Sequence, residues 1–449
     1  MRNVIFLLLS IFLTITGVSA ETITKTITDL GINKSAVSVS VKDIQSGSTL
    51  YSLNEKTPMP PASTLKLVTS SAAFDVLGKD YVFSTKLYKS TNNDLYLKLT
   101  GDPLFTAGDL ERLVLAAVEK SIAPKSFYID DTIFDSVEWG EGWQWDDDLN
   151  PMMPKFSAYN INKNLVKIEM NPAQNATPAS ITVKPFYPVT FMNLLVTDKT
   201  RSNSIKLERN NSIAPNMINV SGTISKLHSV FIPVNNPKMN FVLRLEDIIR
   251  NKKFEYYDDI KNAKLPETDV YVVDGIEHDI NSILLKILKN SDNLAAESLF
   301  KHAAAVWSNS QGTAEKSVEM VNTYLQNINI FSDDIKITDG SGVSKNNLMT
   351  ADFMTDFLVF KAKEDSFDEF RQMLPVPGEG TLKNRMLYLK DNLNAKTGTL
   401  ADTSAIAGYI TTRRGRVYTF DIMINDAKTS SSDKKNIEEQ ILRNIYANY

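Results

Sequence analysis

A serine and a lysine stand three positions apart in Ser63-Thr64-Leu65-Lys66, at the start of a segment with helical periodicity that ends near Leu77. Side chains at positions i and i+3 are neighbours on one face of a helix, so the Lys66 amine can reach the Ser63 hydroxyl. An amine freed of its proton by burial or by a nearby cation can activate a serine as a nucleophile. Taken alone, the pair also fits a helix N-cap followed by a solvated lysine, which is the commoner arrangement.

A second stretch, Ser291-Asp292-Asn293, lies between two segments with helical periodicity. A non-helical link can direct residues i and i+2 the same way, so that Ser291 and Asn293 would present a hydroxyl and an amide together. All three residue types are also favoured helix caps. On its own, the stretch fits a cap better than a functional site.

A third stretch, Lys396-Thr397-Gly398-Thr399, lies on a strand-like segment that precedes a hairpin. Alternation along a strand places Lys396 and Gly398 on one face and Thr397 on the other. Gly398 has no side chain, so a ligand backbone could approach the strand closely at this position. An edge strand with a protective lysine is an equally good interpretation of this stretch alone.

The bulk properties are those of a large globular chain without a polyanionic partner. Its 449 residues exceed what one hydrophobic core usually supports, so two or three domains are expected. Hydrophobic residues make up 43% and charged residues 23%, which excludes disordered and multi-span membrane proteins. The formal net charge of -4 indicates no nucleic-acid partner. Cysteine is absent, and no metal cluster or nucleotide-binding loop is visible in the sequence, so no cofactor or metal is expected.

The N-terminal residues 1–20 have the organisation of a cleavable signal peptide. Arg2 precedes an apolar run, Val4–Thr16, and the small residues Val18 and Ala20 fit a signal-peptidase site. A retained membrane anchor is the alternative, but the run is shorter than the ~20 residues needed to span a bilayer. The mature chain is therefore expected to be secreted, periplasmic or extracellular, with no stable transmembrane anchor.

Periodicity separates the two ends of the chain from its middle. Near the C-terminus a hairpin, Ala405–Thr411 and Arg416–Ile424, precedes a helix that runs to Tyr446 with Ser432 as its N-cap. Strands and helices also alternate at the N-terminal end, whereas residues 101–264 consist mainly of short strands. These features predict one α+β domain interrupted by an insertion.

In this order, S-x-x-K, S-D-N and K-T-G are the signature of penicillin-binding proteins and serine β-lactamases. The chain closely resembles the low-molecular-mass class C penicillin-binding proteins, which are D-alanyl-D-alanine carboxypeptidases and endopeptidases. The long interval from Lys66 to Ser291 fits this family and is much shorter in β-lactamases. Further matches to the family are Gly101-Asp102-Pro103, Asp339-Gly340-Ser341-Gly342, Leu374-Pro375-Val376 and Gly380-Thr381-Leu382 with Arg385.

The resemblance implies an α+β fold of the penicillin-binding/β-lactamase type. Its catalytic domain would have a five-stranded antiparallel sheet flanked by helices, with two smaller domains inserted. Applied to this chain, residues 1–20 are the signal peptide, 21–86 and 268–449 form the catalytic domain, 87–173 and 226–267 form an inserted α/β domain, and 174–225 form a small inserted β domain.

The resemblance also implies a serine peptidase that acts on peptidoglycan stem peptides and is acylated by β-lactam antibiotics. Ser63 would attack the carbonyl between two D-alanines and Lys66 would take its proton, while Ser291 with Lys396 relays a proton to the leaving amine. The implied substrate contacts are Asn293 for an amide, Thr397, Gly398 and Thr399 with Lys396 around the terminal carboxylate, and the backbone N–H groups of Ser63 and Thr399 as the oxyanion hole.

Two segments depart from the family or match it loosely. Lys345 stands where the family often has arginine, so the bidentate fork for a substrate carboxylate is lost while the charge is kept. Asp147 and Asp148 follow two tryptophans in a segment that resembles the one that meets the substrate's free amine. A solvated acidic loop is an equally good interpretation of these two residues.

Two other functions are compatible with the motifs. A β-lactamase or esterase-like hydrolase would share their chemistry, and a catalytically silent cell-wall-binding protein would share the fold. Lys66 already fills the role of the base, so a Ser-His-Asp triad is not needed, and His228, His278 and His302 are expected to be structural or at the surface.

Overall fold

The computed structural model describes residues 23–209, 216–255 and 260–449, and the predicted signal peptide lies outside them. The chain divides into two compact units. Over the described residues, unit 1 comprises residues 23–76, Leu284–Asp292 and Ser317–Tyr449, and unit 2 comprises the described parts of Leu77–Ile283 with Asn293–Lys316. In the three described ranges, no helix is both long enough and apolar enough to cross a membrane.

Strands and helices are numbered in chain order. The strands are β1 (Val37–Asp43), β2 (Thr49–Leu53), β3 (Val82–Ser90), β4 (Leu95–Lys98), β5 (Phe127–Asp130), β6 (Leu165–Asn171), β7 (Ser180–Lys184), β8 (Thr190–Thr197), β9 (Ser204–Arg209), β10 (Met217–Ile224), β11 (His228–Pro233), β12 (Ile260–Asn262), β13 (Val270–Asp279), β14 (Leu393–Thr399), β15 (Thr403–Thr411) and β16 (Val417–Asn425). The helices are α1 (residues 23–29), α2 (Lys66–Leu77), α3 (Ala107–Glu119), α4 (Pro237–Asn251), α5 (Ile280–Asn290), α6 (Asn293–Ser308), α7 (Ala314–Asn327), α8 (Ala351–Lys361), α9 (Phe367–Met373) and α10 (Ser431–Asn448).

Unit 1 is built on a five-stranded antiparallel sheet with the strand order β14-β15-β16-β1-β2. Side chains alternate between the faces of β16, so that Phe420 and Ile422 pack in one buried cluster with Ile437 and Ile441 of α10. Helix α8 packs against β1 and β16. The predicted fold class, an antiparallel five-stranded sheet flanked by helices, is confirmed.

The N-cap of the last helix lies two residues earlier than the sequence suggested. Ser432 was the predicted N-cap, but the cap is Ser430, whose hydroxyl accepts a hydrogen bond from the Asp433 backbone N–H at 3.1 Å. A cap side chain reaches the third residue of its helix, and Ser430 has an acidic residue at that spacing. The choice among three adjacent serines is therefore decided by Asp433.

The described residues of unit 2 form three sheets. A mixed five-stranded sheet has the order β12-β5-β4-β3-β13, and its core is shared with α3 and α4 through residues such as Leu113 and Phe241. Two three-stranded sheets, β11-β6-β7 and β8-β10-β9, share a second core. The predicted limit between residues 86 and 87 falls inside β3, so one sheet would be divided between two domains. The domain limits themselves stay a prediction.

One histidine of unit 2, His302, is buried and favours its neutral form. His302 is fully buried, its Nδ1–H donates to the Thr100 carbonyl at 2.8 Å, and its Nε2 lies 2.6 Å from the Tyr81 hydroxyl. The Phe83 ring packs against it with centroids 4.1 Å apart. Burial lowers the pKa of His302 from 6.5 to about 4, because the charged form would lose its hydration. The role is structural, as the sequence indicated.

We therefore expect His302 to make folding sensitive to acid. Between pH 6.5 and about 4 the unfolded chain binds a proton at His302 that the folded chain excludes, so the free energy of unfolding falls as the pH falls, by about 3 kcal/mol for this group. Thermal unfolding followed from pH 7 to pH 4 should show a shallower decline for His302→Gln than for the wild type. Parallel curves would assign the acid sensitivity to other groups.

Candidate active site

Ser63 lies in a tight turn directly before a helix. The segment Ala62–Leu65 forms a 3₁₀ turn that continues into α2, and the Thr64 hydroxyl donates to the Pro61 carbonyl at 2.7 Å. Ala62 has a φ of +48°, a left-handed conformation that side chains other than glycine rarely adopt. Strain of this kind costs on the order of 1–3 kcal/mol and persists only where the surroundings impose it. The surroundings thus fix the backbone that carries Ser63.

The Lys66 amine contacts the Ser63 hydroxyl inside unit 1. Lys66 is completely buried, and its Nζ lies 2.9 Å from Ser63 Oγ. Nζ also donates to the Ser341 carbonyl at 2.6 Å, and the Ser63 hydroxyl lies 3.4 Å from that same carbonyl oxygen. An amine within hydrogen-bond distance of a serine hydroxyl is placed to take the hydroxyl proton.

Ser291 and Lys396 form a second hydroxyl–amine pair in the same unit. Ser291 follows the end of α5 with a φ of +59°, and its Oγ accepts from Lys396 Nζ at 2.9 Å. Lys396 also donates to the Thr397 carbonyl at 2.9 Å. Burial lowers the pKa of Lys396 well below its ordinary value, and the charge of nearby Lys66 lowers it further. Two amines in one dry site disfavour each other's charged forms, which keeps an amine available as a base.

Gly398 allows β14 to touch the turn that carries Ser63. A Cβ built on Gly398 would lie 2.8 Å from Ser63 N, 2.8 Å from Ala62 Cβ and 3.0 Å from Pro61 O. The structure places the chain's own backbone against this position, and the approach of a ligand backbone to Gly398 stays a prediction. The missing side chain therefore serves the packing of the site.

Replacement of Gly398 by alanine should slow acylation by labelled penicillin by about 100-fold, because the new methyl group must push the Ser63 turn or β14 aside by a few tenths of an ångström or more. Stopped-flow acylation rates would measure the effect. Gly108→Ala is the matched control, since its new Cβ meets nothing closer than Thr106 Oγ1 at 3.5 Å. Equal rates for both variants would show that the turn adapts.

Thr397 has a partner that sequence reasoning did not select. Its hydroxyl donates to Thr381 Oγ1 at 2.7 Å, and Thr381 lies in the 3₁₀ turn Gly380–Leu382. A Cβ on Gly380 would lie 2.3 Å from the Lys289 carbonyl, so this turn also packs against the end of α5. The Gly380-Thr381-Leu382 match to the family was the available signal. Thr399 ends β14 and is exposed.

The other predicted contacts already have partners within their own units. In unit 1, Lys345 pairs with Asp402 at 2.9 Å. In unit 2, Asn293 opens α6 and its amide donates to the Met152 carbonyl at 2.8 Å. The structure thus brings together Ser63, Lys66, Ser291, Lys396 and Thr397 in unit 1, whereas Asn293 belongs to unit 2.

The two predicted aspartates also belong to unit 2. Asp148 lies 2.9 Å from Nε of Arg209, whose side chain is buried. Burial raises the pKa of Asp147, and the charge of Asp146 raises it further. Asp148 is therefore held in an ion pair, and the substrate contact of Asp147 and Asp148, like the alternative of a solvated acidic loop, stays a prediction. Over the residues that the structure describes, no group of three or more His, Cys, Asp or Glu side chains is arranged to hold a metal ion.

Comparison with known proteins identifies the family of the chain. The profile of the D-Ala-D-Ala carboxypeptidase 3 (S13) family matches residues 19–447. The chain belongs to this family. Among the S13 relatives, the D-alanyl-D-alanine carboxypeptidase of Actinomadura sp. (strain R39) is 27% identical over 436 residues, which are 90% of this chain and 80% of that protein.

Solved structures agree with the S13 assignment. The crystal structure of penicillin-binding protein 4 from Haemophilus influenzae superposes with a TM-score of 0.81 and 25% identity over 94% of this chain and 98% of that one. A structure of that protein complexed with a novel β-lactam gives a TM-score of 0.77 at 22% identity, over 95% of this chain and 99% of that one. The family predicted from the three motifs is confirmed.

Proposed function

We propose that this S13 enzyme hydrolyses D-alanyl-D-alanine bonds of peptidoglycan stem peptides through an ester on Ser63. The contact that carries the proposal is the 2.9 Å approach of the buried Lys66 amine to the Ser63 hydroxyl. The hydroxyl alone is a weak nucleophile, and a base at hydrogen-bond distance is what activates it.

In the proposed reaction, Ser63 Oγ attacks the carbonyl carbon of the penultimate D-alanine while Lys66 takes the hydroxyl proton. The tetrahedral intermediate collapses with cleavage of the C–N bond. The proton held by Lys66 returns to the leaving nitrogen through the Ser291 hydroxyl, which Lys396 holds at 2.9 Å. A water molecule then attacks the ester carbonyl and gives a proton to the same base. The base returns that proton to Ser63 Oγ as the C–O bond breaks and the shortened peptide is released.

Charge that develops on the carbonyl oxygen needs N–H donors already in place. The backbone N–H groups of Ser63 and Thr399 are the proposed pair. The close packing of Gly398 against Ser63 N supports this, since it brings the end of β14 beside the nucleophile. The terminal carboxylate of the substrate would be bound by Lys396, Thr397 and Thr399.

Asn293, Lys345, Asp147 and Asp148 complete the proposed substrate contacts. For Lys345 and Asp148 this requires that a substrate group replace or join the present partner, Asp402 or Arg209. Export is part of the same proposal, because peptidoglycan lies outside the cytoplasmic membrane. The sequence of residues 1–20 supports a cleaved signal peptide and a periplasmic or extracellular enzyme.

β-Lactams should acylate the same hydroxyl, since their strained amide occupies the place of the D-alanyl-D-alanine bond. Support comes from the Haemophilus influenzae relative, whose structure was solved with a β-lactam. Trypsin cleaves after Lys56 and Lys66, so the expected adduct is on the peptide Thr57–Lys66, and fragmentation should place it on Ser63. An adduct elsewhere, or none, would overturn the assignment of the nucleophile.

Digestion of purified muropeptides tests substrate and reaction together. Loss of one D-alanine from monomers identifies a carboxypeptidase, and conversion of cross-linked dimers to monomers identifies an endopeptidase. Rapid release of penicilloate with turnover, without change in the muropeptides, would instead identify a β-lactamase. No product from either substrate would leave a silent wall-binding protein.

A further inference from the structure

A buried loop in unit 1 is held by two polar side chains. Asp339 is 2% exposed, and its carboxylate accepts from the backbone N–H groups of Gly342 and Ser344, both at 2.7 Å. Asn347 is completely buried and donates to Asp339 Oδ1 at 2.8 Å and to the Ser344 carbonyl at 2.8 Å. Its own oxygen accepts from the Thr338 N–H at 2.7 Å. Hydrogen bonds within the loop 338–347 therefore help to set its shape.

This loop contacts the Ser63 turn and α2 through its backbone. The Ser341 carbonyl accepts from Lys66, and the Gly340 carbonyl accepts from the Thr69 hydroxyl at 2.8 Å. Gly342 has a φ of +78°, and a Cβ built on it would lie 2.0 Å from the Ala62 carbonyl oxygen. Backbone atoms of three successive loop residues thus lie against successive turns of the segment that carries Ser63 and Lys66.

The direction of the Lys66 lone pair depends on these contacts. A neutral amine has two N–H bonds and one lone pair, and only the lone pair can take the Ser63 proton. When one N–H is fixed on the Ser341 carbonyl at 2.6 Å, rotation about the Cε–Nζ bond is restricted. The lone pair can then face Ser63 Oγ at 2.9 Å. Without the carbonyl, the amine would lose this restraint on its orientation.

We propose that Asp339 is a positioning residue for catalysis, which holds the Ser341 carbonyl where it orients the Lys66 amine toward Ser63. The inference rests on the proposed function, in which Lys66 is the base. In this role Asp339 acts through the two backbone N–H groups that it binds, those of Gly342 and Ser344, on the C-terminal side of the carbonyl.

The Asp339→Asn variant tests the proposal, because the amide retains the shape but presents N–H to the Ser344 N–H and cannot accept there. The acylation rate with labelled penicillin should fall by about 10- to 100-fold. The titratable fraction of enzyme and the affinity of the noncovalent complex should stay unchanged. Asp333→Asn is the matched control, since Asp333 is exposed in the preceding segment.

A purely structural role would give a different result. It would lower the fraction of molecules that titrate, while the molecules that still titrate would react at the wild-type rate. If Asp339→Asn does not fold, Asn347→Ala leaves both backbone bonds to Asp339 in place and should show a smaller loss of the same kind. A wild-type rate in the folded variant overturns the positioning role.

A double-mutant cycle separates the inference from the proposed function. Because Asp339 acts through Lys66, Asp339→Asn should add no further loss in a Lys66→Met background. Additive losses would contradict the inference and leave Lys66 as the base. Failure of the wild-type enzyme to acylate at all would instead overturn the proposed function.

Discussion

Replacing Ser63 by alanine is expected to abolish both D-alanine release from muropeptides and the retention of labelled penicillin, with a loss of rate of at least about 10⁴-fold. The hydroxyl supplies the oxygen of the ester, and its removal leaves the Lys66 amine without the proton that it is placed to take. Mass spectrometry of digested muropeptides and gel fluorography of labelled protein would measure the two losses.

The Ser71→Ala variant provides the control for this substitution. Ser71 lies on the same helix, α2, and its hydroxyl donates only to the Leu67 carbonyl of that helix at 2.8 Å in the contacts described. We expect wild-type activity from it. Equal product from wild type and Ser63→Ala would place the nucleophile on another residue and require a different reaction.

Removal of the Lys66 amine is expected to slow acylation by about 10²- to 10⁴-fold, the usual contribution of a general base. Lys66→Met keeps most of the side-chain volume and removes the base. Lys66→Arg keeps a positive charge but cannot accept a proton, so it should not restore the rate. Stopped-flow acylation of both variants would measure the loss.

These two variants distinguish proton transfer from electrostatics. If Lys66 only attracted an anionic substrate, arginine would recover much of the activity and methionine none. Lys361→Met serves as the control. Lys361 is a buried lysine at the end of α8 in unit 1, and it pairs with Glu364 in the turn that follows α8. Its acylation rate should match that of the wild type.

The sequence predicted those parts of the site that depend on local geometry. The i, i+3 spacing of Ser63 and Lys66 implied a contact, and Lys66 Nζ lies 2.9 Å from Ser63 Oγ. The link between two helices implied that Ser291 is not helical, and its φ is +59°. Both features depend on the backbone geometry of a few consecutive residues, so the local sequence is sufficient to predict them.

The sequence could not predict the contacts that backbone atoms make in the tertiary fold. The Ser341 carbonyl that accepts from Lys66 has the same chemistry in every residue type, so no letter marks it. Thr381 contacts Thr397, and Asp402 contacts Lys345, only because the tertiary fold brings each pair together. The limits of the inserted domains were drawn from changes in periodicity, and a strand such as β3 has the same alternation in whichever domain it lies.

The burial of Lys396 links ligand binding to proton uptake from the buffer. Its pKa is held low by burial and by Lys66, so between that lowered pKa and the ordinary value the free enzyme carries a neutral amine there. A carboxylate bound beside it favours the ammonium form and draws a proton from solution. Titration calorimetry of a carboxylate-bearing ligand should therefore give enthalpies that change with the ionisation enthalpy of the buffer.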